Sequence, residues 1–402
     1  MPWHESCAVD QRVKFIAEWL EGLSSVVELA ERYEVSRKTA NKWIGRYRAL
    51  GPAGLAERSS APVHHGRVTP PDMARVIVDQ KRARPSWGPR KIVAKLGDLY
   101  PDQPWPSAST VGEILKRVGL TNPRRRRSRV PPTLGGLTLA QYPNHLWAVD
   151  HKGWIRLGDG QRCEPLTLTD SYSRFLIGLE ASQSTRADEA WPVFTRAFAE
   201  YGLPQAIRSD NGPPFASTGV TGLTALGVWW AKLGIRHERI TPGCPQQNGR
   251  HERFHLTLKE AMEPKAPDIA TQARRFEIFR RDYNTERPHE ALGQTPPARH
   301  YIASTRPLPS RLAEPEYPAD FDIRRVRSNG EIKWGGGLIF VSMALIGERV
   351  AIEDTPCGQL VMRFYNTPIG VIDTKQRRLI RLLAPARGSQ QPNHQLSPTY
   401  PV

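Results

Sequence analysis

Three carboxylates in the middle of this chain stand where a carboxylate is costly, and they constrain the fold more than any other feature. Asp150 closes the apolar run Trp147-Ala148-Val149, Asp210 follows Ile207-Arg208-Ser209, and Glu252 lies near the start of a helix that opens after Pro245-Gln246-Gln247-Asn248-Gly249. A carboxylate buried in a strand needs a cation or hydrogen-bond donors around it. An arginine or a backbone amide would satisfy Asp150 as a metal would, so that residue alone leaves both readings open. The three acids together offer the oxygen ligands that Mg²⁺ takes, and two metals held by carboxylates serve the attacking and the leaving oxygen of a phosphate displacement.

The order of these motifs resembles the DDE transposases of bacterial insertion sequences and their relatives, the retroviral integrases, in detail over residues 141–301 and in layout elsewhere. In that family Ser-Asp-Asn-Gly carries the second catalytic Asp, here Asp210, and Pro-Gln-x-Asn-Gly-x-x-Glu-Arg carries the Glu, here Glu252. Tyr283-Asn284-Thr285-Glu286-Arg287-Pro288-His289-Glu290-Ala291-Leu292 is similar to the stretch after the catalytic helix. The resemblance implies an RNase H-like α/β core in which Asp150, Asp210 and Glu252 are the catalytic residues and hold two Mg²⁺ ions, with Mn²⁺ as a substitute. It also implies contacts to the DNA end on either side of the Glu. Asn248 lies one turn before it, and Lys259, seven positions on, returns to its helix face as a phosphate clamp or an ordinary exposed lysine.

Two departures are visible. Asp210 and Glu252 are separated by 41 residues, more than in many members, and the surplus is expected at 218–223, where extra loop costs little. The zinc-binding module of retroviral integrases has no counterpart, since His4 and Cys7 lack partners at ligand spacing. Two other glutamates compete with Glu252. Glu238 is flanked by cations, and Glu260 is rotated about 80° around the same helix. Asp170 is read as a turn-capping carboxylate.

A chain of 402 residues holds about two or three domains. Lys and Arg outnumber Asp and Glu by 57 to 40, a formal +17, which favours a polyanionic partner because each neutralised phosphate releases counterions. No apolar run is long enough to span a bilayer. Four scattered cysteines without a Cys-x-x-Cys pair fit a reducing cytosol, so a cytoplasmic, nucleoid-associated protein with no membrane partner is expected.

Taken in order, residues 1–60 read as a helix-turn-helix domain. Val13, Ile16, Ala17 and Leu20 give the first helix an inner face, Ser25-Val26-Val27-Glu28 is a capping box, and Ser36 caps a third helix. Arg37, Lys38, Asn41, Lys42 and Arg46 face outward there, a composition that reads bases and holds phosphates; a three-helix bundle with a solvated basic face is the plainer alternative. Residues 65–121 form a second helix-turn-helix, with or without a wing, or a packing module. The linker 122–140 carries Arg124, Arg125, Arg126, Arg127 and Arg129, which repel one another and suit the DNA backbone; a nuclear-import signal would look the same. The core 141–305 should be a mixed sheet flanked by helices. Short strands over 318–380 suggest a small antiparallel β-barrel, and 388–402 is composed like a disordered tail. The expected fold is therefore multidomain: N-terminal all-α modules, an RNase H-like α/β core and a C-terminal small β-barrel.

The functional expectation is a transposase that binds double-stranded DNA at the terminal repeats of its element, cleaves there with metal-activated water and joins the 3′-hydroxyl to target DNA as a homo-oligomer. A binding-only repressor with a dead core explains the N-terminal half equally well. A nuclease that stops after hydrolysis is the other rival.

Overall fold

The computed structural model describes residues 7–57, 68–121 and 137–381. The arginine block 124–129 and the tail 388–402 lie outside the described residues.

The chain divides into two compact units, Met1–Thr69 and Pro70–Val402. In the first, α1 (Ala8–Glu21), α2 (Val26–Arg32) and α3 (Arg37–Leu50) surround a core of Phe15, Ile16, Leu29, Ala30, Ala40, Trp43, Ile44 and Leu55. Ser25 and Glu28 form the capping box reciprocally, and Ser36 Oγ accepts from the Thr39 amide at 3.1 Å. The inner face of α1 differs from the expectation. Val13 and Leu20 are exposed, at 50% and 57%, while Phe15 and Ile16 are buried. Both stripes contain Ile16, and the one carrying more aromatic area faces in. Phe15 meets the Tyr33 ring edge-on at 5.5 Å, and Trp19 packs against the same core.

The second unit begins with α4 (Pro71–Ala83), α5 (Pro89–Leu99) and α6 (Ala108–Arg117), closed on Ile77, Trp87, Ile92, Leu96, Val111 and Leu115. No strand accompanies these helices among the described residues, so no wing is present there.

The central sheet is mixed. β1 (Leu146–His151) pairs antiparallel with β3 (Arg162–Asp170) and parallel with β5 (Ala206–Ser209); β5 pairs parallel with β6 (Arg236–Arg239), and β4 (Leu176–Ser182) runs antiparallel beside β3. The first strand, expected from 145 to 157, is broken at Gly153, whose φ of +84° suits glycine, and resumes as the two-residue β2 (Ile155–Arg156). One face is covered by α7 (Ala187–Tyr201) and α8 (Ala225–Lys232), over Trp147, Val149, Phe194, Phe198, Ile207 and Trp230. The other carries α9 (Gly249–Ala261) and α10 (Ile269–Thr285), over Leu157, Cys163, Leu176, Phe254, Leu258 and Phe276. Asn284 clamps the edge of β4, accepting from the Leu176 amide at 2.8 Å and donating to its carbonyl at 3.0 Å.

The C-terminal region contains β7 (Asp322–Arg325), β8 (Glu331–Trp334), β9 (Gly337–Phe340), β10 (Arg349–Asp354), β11 (Leu360–Phe364), β12 (Thr367–Asp373) and β13 (Arg378–Ile380). Its strands form a five-stranded sheet, β13-β12-β11-β10-β7, and a separate hairpin, β8-β9. The expected barrel closure is not shown. Both sheets bury their inner faces in one cluster, but no ladder joins them among the described residues, because the four-residue hairpin strands end before pairing further. The cluster also takes in Val228 of α8 and is lined by Val220 and Leu223, so the loop before α8 supplies apolar cover for this region.

Candidate active site

Asp150 and Asp210 are brought together by parallel pairing. Leu146 lies opposite Ala206 and Ala148 opposite Arg208, and the same offset carried along the strands sets Asp150 across from Asp210. Strand alternation then sorts the side chains of β1. Trp147 and Val149 enter the α7/α8 core, whereas Asp150 shares the α9 face with its cross-strand partner Thr167.

The Ser-Asp-Asn-Gly turn holds Asp210 by identifiable contacts. Ser209 Oγ donates to the Asp210 carbonyl at 2.8 Å, and Asn211 Nδ2 donates to Ile240 O at 2.7 Å, tying the turn to the end of β6. A Cβ on Gly212 would lie 2.9 Å from Asp210 Oδ2, so only glycine leaves that carboxylate room. Phe215, 1% exposed, anchors the far end of the loop in the core. The Pro-Gln-Gln-Asn-Gly turn is held similarly: Gln247 Oε1 accepts from the Thr241 amide at 2.7 Å and its Nε2 donates to Thr241 Oγ1 at 3.1 Å.

α9 enters the sheet face on two histidines. His251 and His255, one turn apart, are 2% and 8% exposed. Thr167 Oγ1 lies 2.6 Å from His251 Nε2 and 2.9 Å from His255 Nε2, and Thr169 Oγ1 lies 3.0 Å from His251 Nδ1. Burial holds both imidazoles neutral, pushing His255 down to about 3 with help from Lys152 and His151. This docking leaves Glu252, the residue after His251, exposed in the first turn of α9, where the helix dipole favours a carboxylate.

The charges converge on Asp150. Burial, then the Asp210 charge and that of Glu252, raise its carboxyl to about 7 against the opposing His151 amide and Lys152. Asp210 Oδ1 is buried with no hydrogen-bond partner. An acid pushed up by its neighbours beside a second acid with an orphaned oxygen is a donor set suited to a divalent cation. Among the described residues, Asp150 also forms a group of candidate ligand atoms with His251 and His255, all within 4.8 Å of one another. That group cannot serve as a three-ligand site, because both nitrogens of His251 are engaged by threonine hydroxyls.

The other expected residues fall in several places. Asp170 is fully buried and accepts from the Asn144 amide at 2.8 Å and from the Ser173 amide and hydroxyl at 2.7 and 2.6 Å, so it is a turn-building carboxylate. Glu238 is engaged by Arg208 Nε at 2.8 Å and by the Thr138 amide at 3.3 Å. The side chain of Glu260 lies outside the described residues. Asn248 is 6% exposed at the N-cap of α9, whereas Lys259 is exposed, as are Arg250 and Arg253. On α3, Arg37, Lys38, Asn41 and Lys42 are exposed and Arg46 is half-buried over the Trp43 ring, 4.8 Å from its centroid. The Asn41 amide donates back to Arg37 O at 3.0 Å. The two histidines were the omission: their i, i+4 spacing placed them on one face of α9, but sequence could not show that threonine hydroxyls of β3 lie beneath them.

A mixed sheet with Asp150 and Asp210 at the ends of its two central strands, and Glu252 on the helix packed beside them, defines an RNase H-like integrase core. Comparison with known families agrees. Integrase core domain profiles match residues 140–245 and 233–297, a helix-turn-helix domain profile matches 11–62 and a homeodomain-like profile 39–115. The chain is 26% identical over 307 residues to the insertion element IS476 39.2 kDa protein of Xanthomonas euvesicatoria, covering 75% of this chain and 84% of that one. It is 24% identical over 296 residues to the insertion element IS407 31.7 kDa protein of Burkholderia multivorans, covering 73% and 98%. Among solved structures, the HTLV-2 integrase catalytic core domain in complex with magnesium overlaps 41% of this chain and all of its own, at 17% identity and a TM-score of 0.33. The chain thus carries an integrase core domain and helix-turn-helix domains, and it is homologous to these insertion-element proteins.

Proposed function

We propose that this protein is the transposase of an insertion element: it binds the element's terminal repeats, cleaves at their ends and joins the freed 3′-hydroxyl to target DNA. The observation that carries this reading is the convergence of Asp210 and Glu252 on the half-buried Asp150 within an integrase core. These three would hold two Mg²⁺ ions, or Mn²⁺ in their place. Bound there, the ions supply an activated nucleophile and neutralise charge at the phosphate. The protein's own groups do the rest. Asp150 and Asp210 fix the site on the rigid sheet, Glu252 closes it from α9, and Lys259, Arg250 and Arg253 present positive charge to the DNA backbone along the same helix.

In the N-terminal unit, Arg37, Lys38, Asn41, Lys42 and Arg46 on α3 would enter a major groove, with Arg124 to Arg129 following the backbone. Asn248, being buried, would act by shaping the start of α9. The C-terminal sheets would form the small barrel-like domain that grips DNA without sequence preference, and the active assembly would be a homo-oligomer on two element ends in the bacterial cytoplasm.

A strand-transfer assay with labelled element ends and Mg²⁺ tests the reading. Asp150→Asn, Asp210→Asn and Glu252→Gln are each expected to abolish cleavage and joining while end binding stays near wild type, since each swap removes an anionic ligand with little change of shape. A Glu252→Gln enzyme that still joins ends would sink it, and release of the end without joining would mark a hydrolytic nuclease instead.

A further inference from the structure

The hydrogen-bond network under α9 leaves one nitrogen unaccounted for. Thr167 Oγ1 lies 2.8 Å from the Asp150 carbonyl, which can only accept, so the threonine proton goes there. Both histidine Nε2 atoms that meet this hydroxyl must therefore be its donors. Thr169 Oγ1 lies 3.0 Å from His251 Nδ1 and 3.4 Å from the Ala148 carbonyl, so the nearer nitrogen, which carries no proton, accepts from it and that ring is fully engaged. His255 Nδ1 is left with its lone pair. It faces Asp150 Oδ2 at 3.8 Å, too long for a hydrogen bond, and the His255 side chain is 10% exposed.

Two lone-pair atoms facing each other at side chains only 10% and 20% exposed repel unless a proton or cation stands between them. A proton placed there could bond only one of them, because 3.8 Å is beyond hydrogen-bond reach. An ion about 2.1 Å from each atom would span the gap. We propose that His255 is a nitrogen ligand of the divalent ion that Asp150 holds, with Thr167 fixing its tautomer and ring orientation from behind. The arrangement is the usual one for a metal-bound histidine, whose second nitrogen donates to a fixed acceptor. The inference rests on the reading of Asp150 as an ion ligand and adds to the three carboxylates a donor that their motifs do not include. A mixed nitrogen and oxygen set shifts preference away from Mg²⁺ and toward softer divalent ions.

The test is pulsed electron paramagnetic resonance of Mn²⁺ bound to the full chain, prepared with natural-abundance and with ¹⁵N-labelled histidine. Wild type is expected to show an imidazole nitrogen coupling that changes isotope signature on labelling. His255→Ala should lose that coupling and bind Mn²⁺ about tenfold more weakly. Asp150-dependent Mn²⁺ binding without histidine coupling, or a coupling that survives in His255→Ala, overturns the inference and leaves the carboxylate site standing. Mn²⁺ binding that is undetectable, or that Asp150→Asn leaves unchanged, overturns the site itself. The labelled wild type reports coordination even if His255→Ala folds poorly.

Discussion

At the scale of single residues, the acids of the core divide by what surrounds them. Glu238 and Arg208 each have a side chain 13% exposed, so Glu238→Gln strands a guanidinium rather than removing a ligand. It should cost about 3 kcal/mol in denaturant unfolding while the surviving folded fraction keeps its cleavage activity. Gly212→Ala should do the reverse. The new methyl group meets a carboxylate oxygen at 2.9 Å, and Asp210 can rotate away at little cost to the fold. Cleavage is expected to fall at least about tenfold with stability changed by under about 1 kcal/mol, read from single-turnover rates beside a urea melt. Equal losses of stability and activity in Gly212→Ala would mean that the turn itself collapses. The adjacency of Asp150 and Asp210 was legible in sequence because each acid closes or follows a short run that reads as a strand. The approach of His255 to Asp150 was not, because a histidine on a helix face is ordinary until the atoms opposite it are known.

At the scale of elements, local patterns carried most of the fold. Capping by Ser25 and Ser36 follows from residues within a few positions of one another. What failed was decided at longer range. The face that α1 turns inward depends on Tyr33 and Trp43, and the sheets of the C-terminal region are separated by pairing that strand composition does not encode. The docking of α9 is of the same kind. Thr167, fully buried, receives two imidazoles and donates to Asp150 O, so Thr167→Val leaves two buried ring donors unpaired. Each costs about 1–3 kcal/mol, and the loss concentrates at one helix. Amide exchange in α9 should accelerate well beyond that of β1 and β5, and cleavage should fall although every carboxylate remains. Uniform protection across the core in Thr167→Val would show that the shape of α9, rather than this hydroxyl, holds it in place.

At the scale of the whole molecule, the α4–α6 module has its own apolar core and meets the catalytic core through charge. Arg84 reaches Asp282 at 2.7 Å, Lys95 reaches Glu286 at 2.5 Å, Arg90 reaches Glu290 at 2.8 Å, and Asp98 pairs with Arg299 at 3.2 Å. Lys91 donates to the Pro288 carbonyl at the same seam. Much of the stretch 282–299 is thus occupied in holding this module, and the cations of α5 are turned to the protein rather than to phosphates. Partly exposed pairs contribute about 0–1 kcal/mol each, so four of them hold the module only loosely. At 1 M salt the screening length falls to about 3 Å, and the module should swing free on its linkers while both cores stay folded. X-ray scattering in a salt series is expected to show a rising radius of gyration with unchanged helical circular dichroism. Charge removal at Asp282 and Glu286 should give the same expansion at low salt. Lys91 adds a pH dependence of known sign. Burial, and then Arg287, lower its amine to about 8 against the opposing Glu290, below its value in a free chain, so the undocked form binds more protons between about pH 8 and 10 and docking strengthens as pH rises through that window. Lys91→Met should abolish that trend while keeping the salt dependence, and a radius of gyration independent of salt would show that something other than these ion pairs joins the two cores.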